Sequence, residues 1–251
     1  MKFNISKEKM LEGIHIMNSF GTRLTGSKGH NGFIKWLKDE IGKMDIPVYS
    51  DPFYFRRWEE KKSSIEIING EEKINIPVSS AYPYSGETSA DGITEELVYV
   101  KGVKDIPKTV GKIAVFNVAN INFLPSEIAF DKRTSYPADV VLEKKYEGPV
   151  ITSFVQCFYG IVSKLSKAKA VILIWTGLHD DMIEGQYLSF IADYQNIPML
   201  WVNETDGKKV IEAAKEHKKA KLVLEAEIEE HALPRAFIVS SRVKIKRKML
   251  S

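Results

Sequence analysis

Six consecutive apolar residues, Ala170–Trp175 (AVILIW), stand between Lys169 and the pair Thr176-Gly177. A run of that length without a polar interruption is the mark of a strand buried within a sheet, and it falls far short of the roughly 20 residues a membrane-spanning helix needs. Its neighbours repeat the theme. Ser153–Lys167 has the period of an amphipathic helix, carrying Phe154, Phe158, Ile161, Val162 and Leu165. Pro198–Val202 reads as a second buried strand, followed by a helix over Asp206–His217 capped by Thr205 or Asp206, then a closing strand over Lys221–Ala226. Upstream, Ile93–Val100 and Lys112–Val118 read as strands, whereas residues 119–150 are long and irregular. Strands separated by helices predict an α/β layer architecture.

The first 76 residues have a different character. Met10, Leu11, Ile14 and Met17 recur at helical spacing over residues 7–20, with Ser6 as N-cap. A glycine-rich link, Gly21–Gly32, leads to a second helix over about residues 31–41, with Phe33, Ile34, Trp36, Leu37 and Ile41 on its apolar side and Gly42 at its end. Val48–Trp58 reads as a strand. Ser63–Ile68 and Glu71–Ile76 alternate around Asn69-Gly70, the pair favoured by a type I′ hairpin turn. Residues 77–92 are rich in Pro, Ser and Gly and read as a linker. The organisation expected is therefore α/β overall: an α+β unit over residues 1–76, a linker over 77–92, a strand-and-helix domain over 93–228 and a basic tail over 229–251.

Composition narrows the classes of function. The 251 residues carry 36 basic and 33 acidic side chains for a net charge of +3, which gives no field suited to nucleic acid. The hydrophobic fraction of 44% supplies a core. A single cysteine, Cys157, permits no intrachain disulfide and suits a reducing compartment. The N-terminus lacks the apolar core of a signal peptide, so a cytoplasmic location without membrane association is expected. The tail places Arg242, Lys244, Lys246 and Arg247 within six positions, a run read as solvated.

Tyr84–Val100, Gly111–Val118, Lys164–Trp175 and Ile197–Ala226 together resemble a protease-associated domain. The segment Gly21-Thr22-Arg23-Leu24-Thr25-Gly26-Ser27, between two helices, resembles the opening of the co-catalytic di-zinc aminopeptidase family, which includes leucyl aminopeptidase and glutamate carboxypeptidase-like enzymes. In that family the protease-associated domain is inserted after this opening, and the order here is the same. The resemblance covers about residues 7–227. It implies a lid or interaction module beside a catalytic domain in which two zinc ions share five His, Asp and Glu ligands, with a separate Glu as general base. Residues 228–251 hold one histidine, His231, two glutamates, Glu229 and Glu230, and no aspartate, too few for that ligand set. The expectation is a truncated, non-catalytic relative with no zinc of its own, acting by peptide or protein capture. The alternative is a working metallopeptidase, as one piece of a split enzyme or through a reduced site near His179.

Each candidate residue has a competing plain reading. His179-Asp180-Asp181 follows a buried strand, so His179 and Asp181 are the weak metal candidates, with Glu184, Asp193, His217, Glu229 and Glu230 as possible partners. Polar residues are also ordinary at a strand's exit. Gly21, Arg23 and Gly26 form a motif read as structural: a helix–helix link whose arginine pairs a carboxylate or caps carbonyls. His30 is read as a surface residue and Cys157 as a buried structural thiol. Ser85-Gly86 and Ser240-Ser241 lie in no nucleophile elbow. The apolar faces of the first two helices, around Phe33, Trp36 and Leu37, need a cover, and self-association through them is one expectation.

Overall fold

The computed structural model describes residues 6–21, 23–44, 46–50, 54–119, 166–177, 194–232 and 237–239. The chain forms two compact units, one of Met1–Arg57 with Ile228–Ser251 and one of Trp58–Glu227.

In the smaller unit, α1 spans Lys7–Ser19 and α2 spans Lys28–Gly42. Ser6 caps α1 by accepting from the Lys9 amide, and Ser27 caps α2 by accepting from the His30 amide at 3.1 Å. Helix α2 therefore starts three residues earlier than its apolar period indicates, since a serine that satisfies an orphan amide sets the boundary. Gly42 closes α2 without a left-handed turn, because the cap is Lys43 in right-handed geometry. The expected strand 48–58 is divided into β1, Val48–Ser50, and the start of β2, Phe55–Asn69. Strand β1 pairs antiparallel with β10, Phe237–Val239, with Tyr49 opposite Ile238.

The larger unit is built on a mixed sheet of eight strands in the order β3-β2-β9-β5-β6-β7-β8-β4. Here β3 is Glu72–Ile76, β4 Ser80–Ala81, β5 Ile93–Val100, β6 Ile113–Ala119, β7 Ala170–Thr176, β8 Met199–Val202 and β9 Lys219–Ala232. Strands β5 to β8 run parallel, with Ile113 opposite Ala170 and Leu173 opposite Trp201. Helix α3, Glu204–Lys215, returns the chain from β8 to β9. Alternation explains why β7 is apolar throughout. Ile172 and Ile174 join Leu97, Ile113, Val115, Leu200 and Val202 on the face that α3 covers with Val210, Ala213 and Ala214. Val171, Leu173 and Trp175 join Ala114, Phe116, Met199, Trp201 and Tyr82 on the other face. A strand buried on both faces cannot alternate apolar with polar.

Three expectations are corrected. The hairpin belongs to the sheet of the larger unit, next to β9, and not to the first unit. Its two-residue turn is Gly70-Glu71, because Asn69 pairs with Glu72; Gly70 has φ +64° while Glu71 is not left-handed, the pattern of type II′. Residues 77–92 are not a linker between units. Ser80–Ala81 pair with β8, Tyr82 is fully buried, and the amides of Ser79, Tyr82, Gly86 and Thr88 donate to the carbonyls of Trp201, Met199, Ile197 and Leu224. Small residues are needed there for close approach: a Cβ on Gly86 would lie 2.6 Å from the Asn196 carbonyl carbon. The helix expected over 153–167 lies outside the described residues except for its end at Ser166–Lys167.

Candidate functional site

The glycine-flanked arginine is the first motif to place. Gly21 and Gly26 both adopt left-handed φ, +66° and +79°, so the link between α1 and α2 turns twice at positions that disfavour a side chain. Arg23 Nη1 donates to the Met17 carbonyl at 2.6 Å and lies 3.4 Å from that of Gly21. These carbonyls lie at the end of α1, where the helix dipole is negative, so a guanidinium is favoured there. The guanidinium carbon also sits 5.4 Å from the Phe33 ring centre, a cation–π contact. Phe33 stacks on Trp36 at 5.8 Å and meets Phe20 edge-on at the same distance. Arg23 thus ties α1 to α2. His30 is drawn into the same link, since its Nδ1 accepts the Gly26 amide at 3.1 Å and Asn31 donates to the Gly26 carbonyl.

The weak metal candidates divide. His179, Asp180, Asp181, Glu184 and Asp193 lie outside the described residues, as do Cys157 and Ser240-Ser241. His217 is described: it follows α3 with φ +56° and contacts Glu96 through Nδ1 at 2.9 Å. Lys112 Nζ lies 2.9 Å from the same Glu96 oxygen. The lysine first, and the imidazole second, hold the Glu96 carboxyl below the usual glutamate range. Glu229 accepts from Arg57 Nε at 3.1 Å, with Arg57 buried. Ser85 is buried in a loop, and its carbonyl accepts the Trp58 indole N–H at 3.1 Å.

These donors do not fit a zinc ion. Zinc needs several ligands converging at about 2 Å, and an ammonium already neutralises the one His–Glu pair here. Among the described residues no three His, Cys, Asp or Glu side chains come together in such a group. No described helix is long and apolar enough to cross a membrane.

Sequence reasoning missed the 3-10 helix that carries the chain from the end of β5 back to the start of β6. Val103–Thr109 forms a 3-10 helix between β5 and β6, leaving Val103 82% exposed and Val110 56% exposed among lysines. The recurrent lysines at 101, 104, 108 and 112 were the available signal.

Similarity to known proteins decides the architecture. The fold is M28 aminopeptidase-like. A peptidase M28 precursor from Shewanella amazonensis matches with TM-score 0.58 and 15% identity, over 90% of this chain and 49% of its own. A zinc aminopeptidase from Bacillus subtilis matches with TM-score 0.54 and 17% identity, over 87% of this chain and 43% of its own. An aminopeptidase from an Aneurinibacillus species matches with TM-score 0.53 and 18% identity, over 91% of this chain and 46% of its own. The chain spans just under half the length of these structures. No family model matches the sequence, and no curated protein matches it.

Proposed function

We propose that this chain is a non-catalytic relative of the zinc aminopeptidases whose activity is binding of peptide or protein, carried by a protease-associated-type domain in the larger unit. The observation that carries this reading is the character of the larger unit. It is a layered eight-stranded sheet with apolar clusters on both faces, in a fold like that of the aminopeptidases. A sheet so covered is a rigid scaffold able to present loops and edges without any chemistry of its own. The surroundings of the described metal candidates support the same reading, since His30 accepts a backbone amide, Glu229 pairs with Arg57, and His217 shares Glu96 with Lys112.

The experiment is zinc analysis of the purified full chain together with hydrolysis of a leucine anilide, with and without added zinc. We expect substoichiometric zinc and no turnover. Stoichiometric zinc with turnover abolished by His179→Ala would overturn the reading in favour of the alternative, a working metallopeptidase with a reduced site. Turnover appearing only on mixing with a second chain would favour a split enzyme.

A further inference from the structure

Asparagine followed by glycine is a pair in which a chain can alter its own covalent structure, because glycine has no Cβ to shield its nitrogen from the asparagine side chain. The sequence contains two such pairs, Asn31-Gly32 and Asn69-Gly70. The fold treats them oppositely.

Asn31 lies in the first turn of α2, where its amide donates to the Ser27 carbonyl at 2.9 Å and its Nδ2 to the Gly26 carbonyl at 3.2 Å. Gly32 is the next residue of the same helix, packed so that a Cβ on it would lie 3.2 Å from Phe20 Cδ1. Side chain and following backbone are therefore both held, and the asparagine Cγ cannot close on the glycine nitrogen without opening the turn. Asn69 stands at the tip of the β2–β3 hairpin, and both it and Gly70 are exposed. The ladder ends at the Asn69–Glu72 pair, so the Gly70 amide lies beyond it. Gly70 has φ +64°, and a Cβ built on it would meet nothing within 4 Å. Among the described residues no hydrogen bond holds the Asn69 side chain. Strand β3 is the edge of the sheet, and a terminal pair there opens at small cost.

We propose that Asn69 is a site of spontaneous covalent modification through a cyclic imide, and that the fold protects Asn31 from the same reaction. The Gly70 nitrogen gives its proton to hydroxide and attacks Asn69 Cγ. The new N–C bond closes a five-membered ring, and the side-chain nitrogen leaves as ammonia with a proton from water. Water then adds to one of the two imide carbonyls and breaks its bond to nitrogen. Breaking the bond to Cγ leaves aspartate. Breaking the bond to the main-chain carbonyl leaves isoaspartate, whose main chain runs on through Cβ and Cγ. Either product adds a negative charge beside the exposed Glu71 and Glu72, and isoaspartate also lengthens the main chain by a methylene ahead of the turn. The Ile67–Ile74 and Ile65–Ile76 pairs, with Ile65, Ile67 and Ile76 buried, fix the register further in, so the change is confined to the hairpin tip.

The test follows both sites in one sample. The full chain is held in mildly alkaline buffer and digested at intervals with trypsin, which places Asn69 in the peptide 63–73 and Asn31 in the peptide 29–35. Mass spectrometry reads the exchange of NH2 for OH, and chromatography separates the two linkages. In the native chain the peptide 63–73 should convert at least about tenfold faster than 29–35, because opening a terminal hairpin pair costs less than opening a capped helical turn. In the urea-unfolded chain the two should convert within about twofold of each other, since the dipeptide is the same. Asn69→Gln, whose longer side chain would have to close a larger ring, should leave 63–73 unconverted and the 29–35 rate unchanged. Equal native rates, faster conversion of 29–35, or a native 63–73 that stays intact while the unfolded chain converts would overturn the proposal. So would aspartate without isoaspartate, the mark of direct hydrolysis of the side chain.

Discussion

Helix α3 packs so closely on β7 that one methyl group should measure the contact. A Cβ added at Gly207 would lie 2.2 Å from Ile174 Cγ2, with Cγ1 at 3.1 Å and Cβ at 3.2 Å. Carbon atoms in contact prefer about 3.5–4.0 Å, so α3 must lift by more than ~1 Å or Ile174 must leave its rotamer. Ile174 is fully buried and branched at Cβ, which leaves it little room to turn. Overpacking of this kind costs about 1–3 kcal/mol, and the severity of the overlap argues for the upper end. Alanine repays up to about 1 kcal/mol through its helix propensity. Gly207→Ala should therefore destabilise the larger unit by about 2 kcal/mol net, and with a urea slope near 2 kcal/mol/M the midpoint falls by about 1 M. Tryptophan fluorescence reports on this unit, since Trp58, Trp175 and Trp201 are all buried there. Ile174→Ala alone should cost about 2–5 kcal/mol, but the double variant should cost at least ~1 kcal/mol less than the sum, because the new methyl enters the space vacated. An unchanged or raised midpoint for Gly207→Ala, or strict additivity, would refute the close-packing argument.

Two further outcomes follow from local geometry. Asn203 caps α3 by accepting the Asp206 amide at 2.8 Å from a buried position, so Asn203→Ala should cost ~1–2 kcal/mol in the same urea assay, and a loss below ~0.3 kcal/mol would show that the cap contributes nothing. The Glu96 carboxyl is held below its usual range by Lys112 and His217, so its contribution to stability is complete above about pH 4.3 and is lost as pH falls from there through the lowered folded value. Glu96→Gln should therefore show a shallower fall in melting temperature over that acid window, and curves that stay parallel to the parent's would rule the pairing out as a stabilising contact.

The sequence announced what depends on periodicity and hid what depends on context. Ala170–Trp175 emerged as β7 because burial on both faces leaves a continuous apolar run, and the helices of the smaller unit emerged because Ser6 and the apolar spacing agree. The segment 77–92 misled because Pro, Ser and Gly mark flexible links as readily as they mark places where backbone meets backbone. Gly86 against Asn196 is the second kind, and no local pattern separates the two. The cap of α3 was displaced because Asn203, Thr205 and Asp206 are all competent N-caps, and the choice falls to the residue at the end of β8. The hairpin turn shifted by one residue because Ile65–Ile76 pairing fixes the register, and Gly70-Glu71 is then what remains to turn. For the candidate site, Arg23 could be seen as a helix tie, but the Lys112–Glu96–His217 cluster could not, because its residues come from separated segments that the sheet register brings together.

The two units differ in how they are held, and that difference bears on function. The larger has apolar clusters on both faces of its sheet. In the smaller, neither α1 nor α2 contains a buried residue, and Met10, Leu11 and Ile14 stand about half exposed. Isolated helices of 13 and 15 residues are marginal in water. What orders them is local: two serine caps, the Arg23 bonds to the end of α1 and the Phe20–Phe33–Trp36 cluster. Caps and ring contacts are each worth on the order of 1 kcal/mol, enough to set geometry but small beside the apolar burial of the larger unit. A ligand that covered the α1 face would therefore gain apolar burial there while ordering helices already in place, which keeps the entropic cost of capture low.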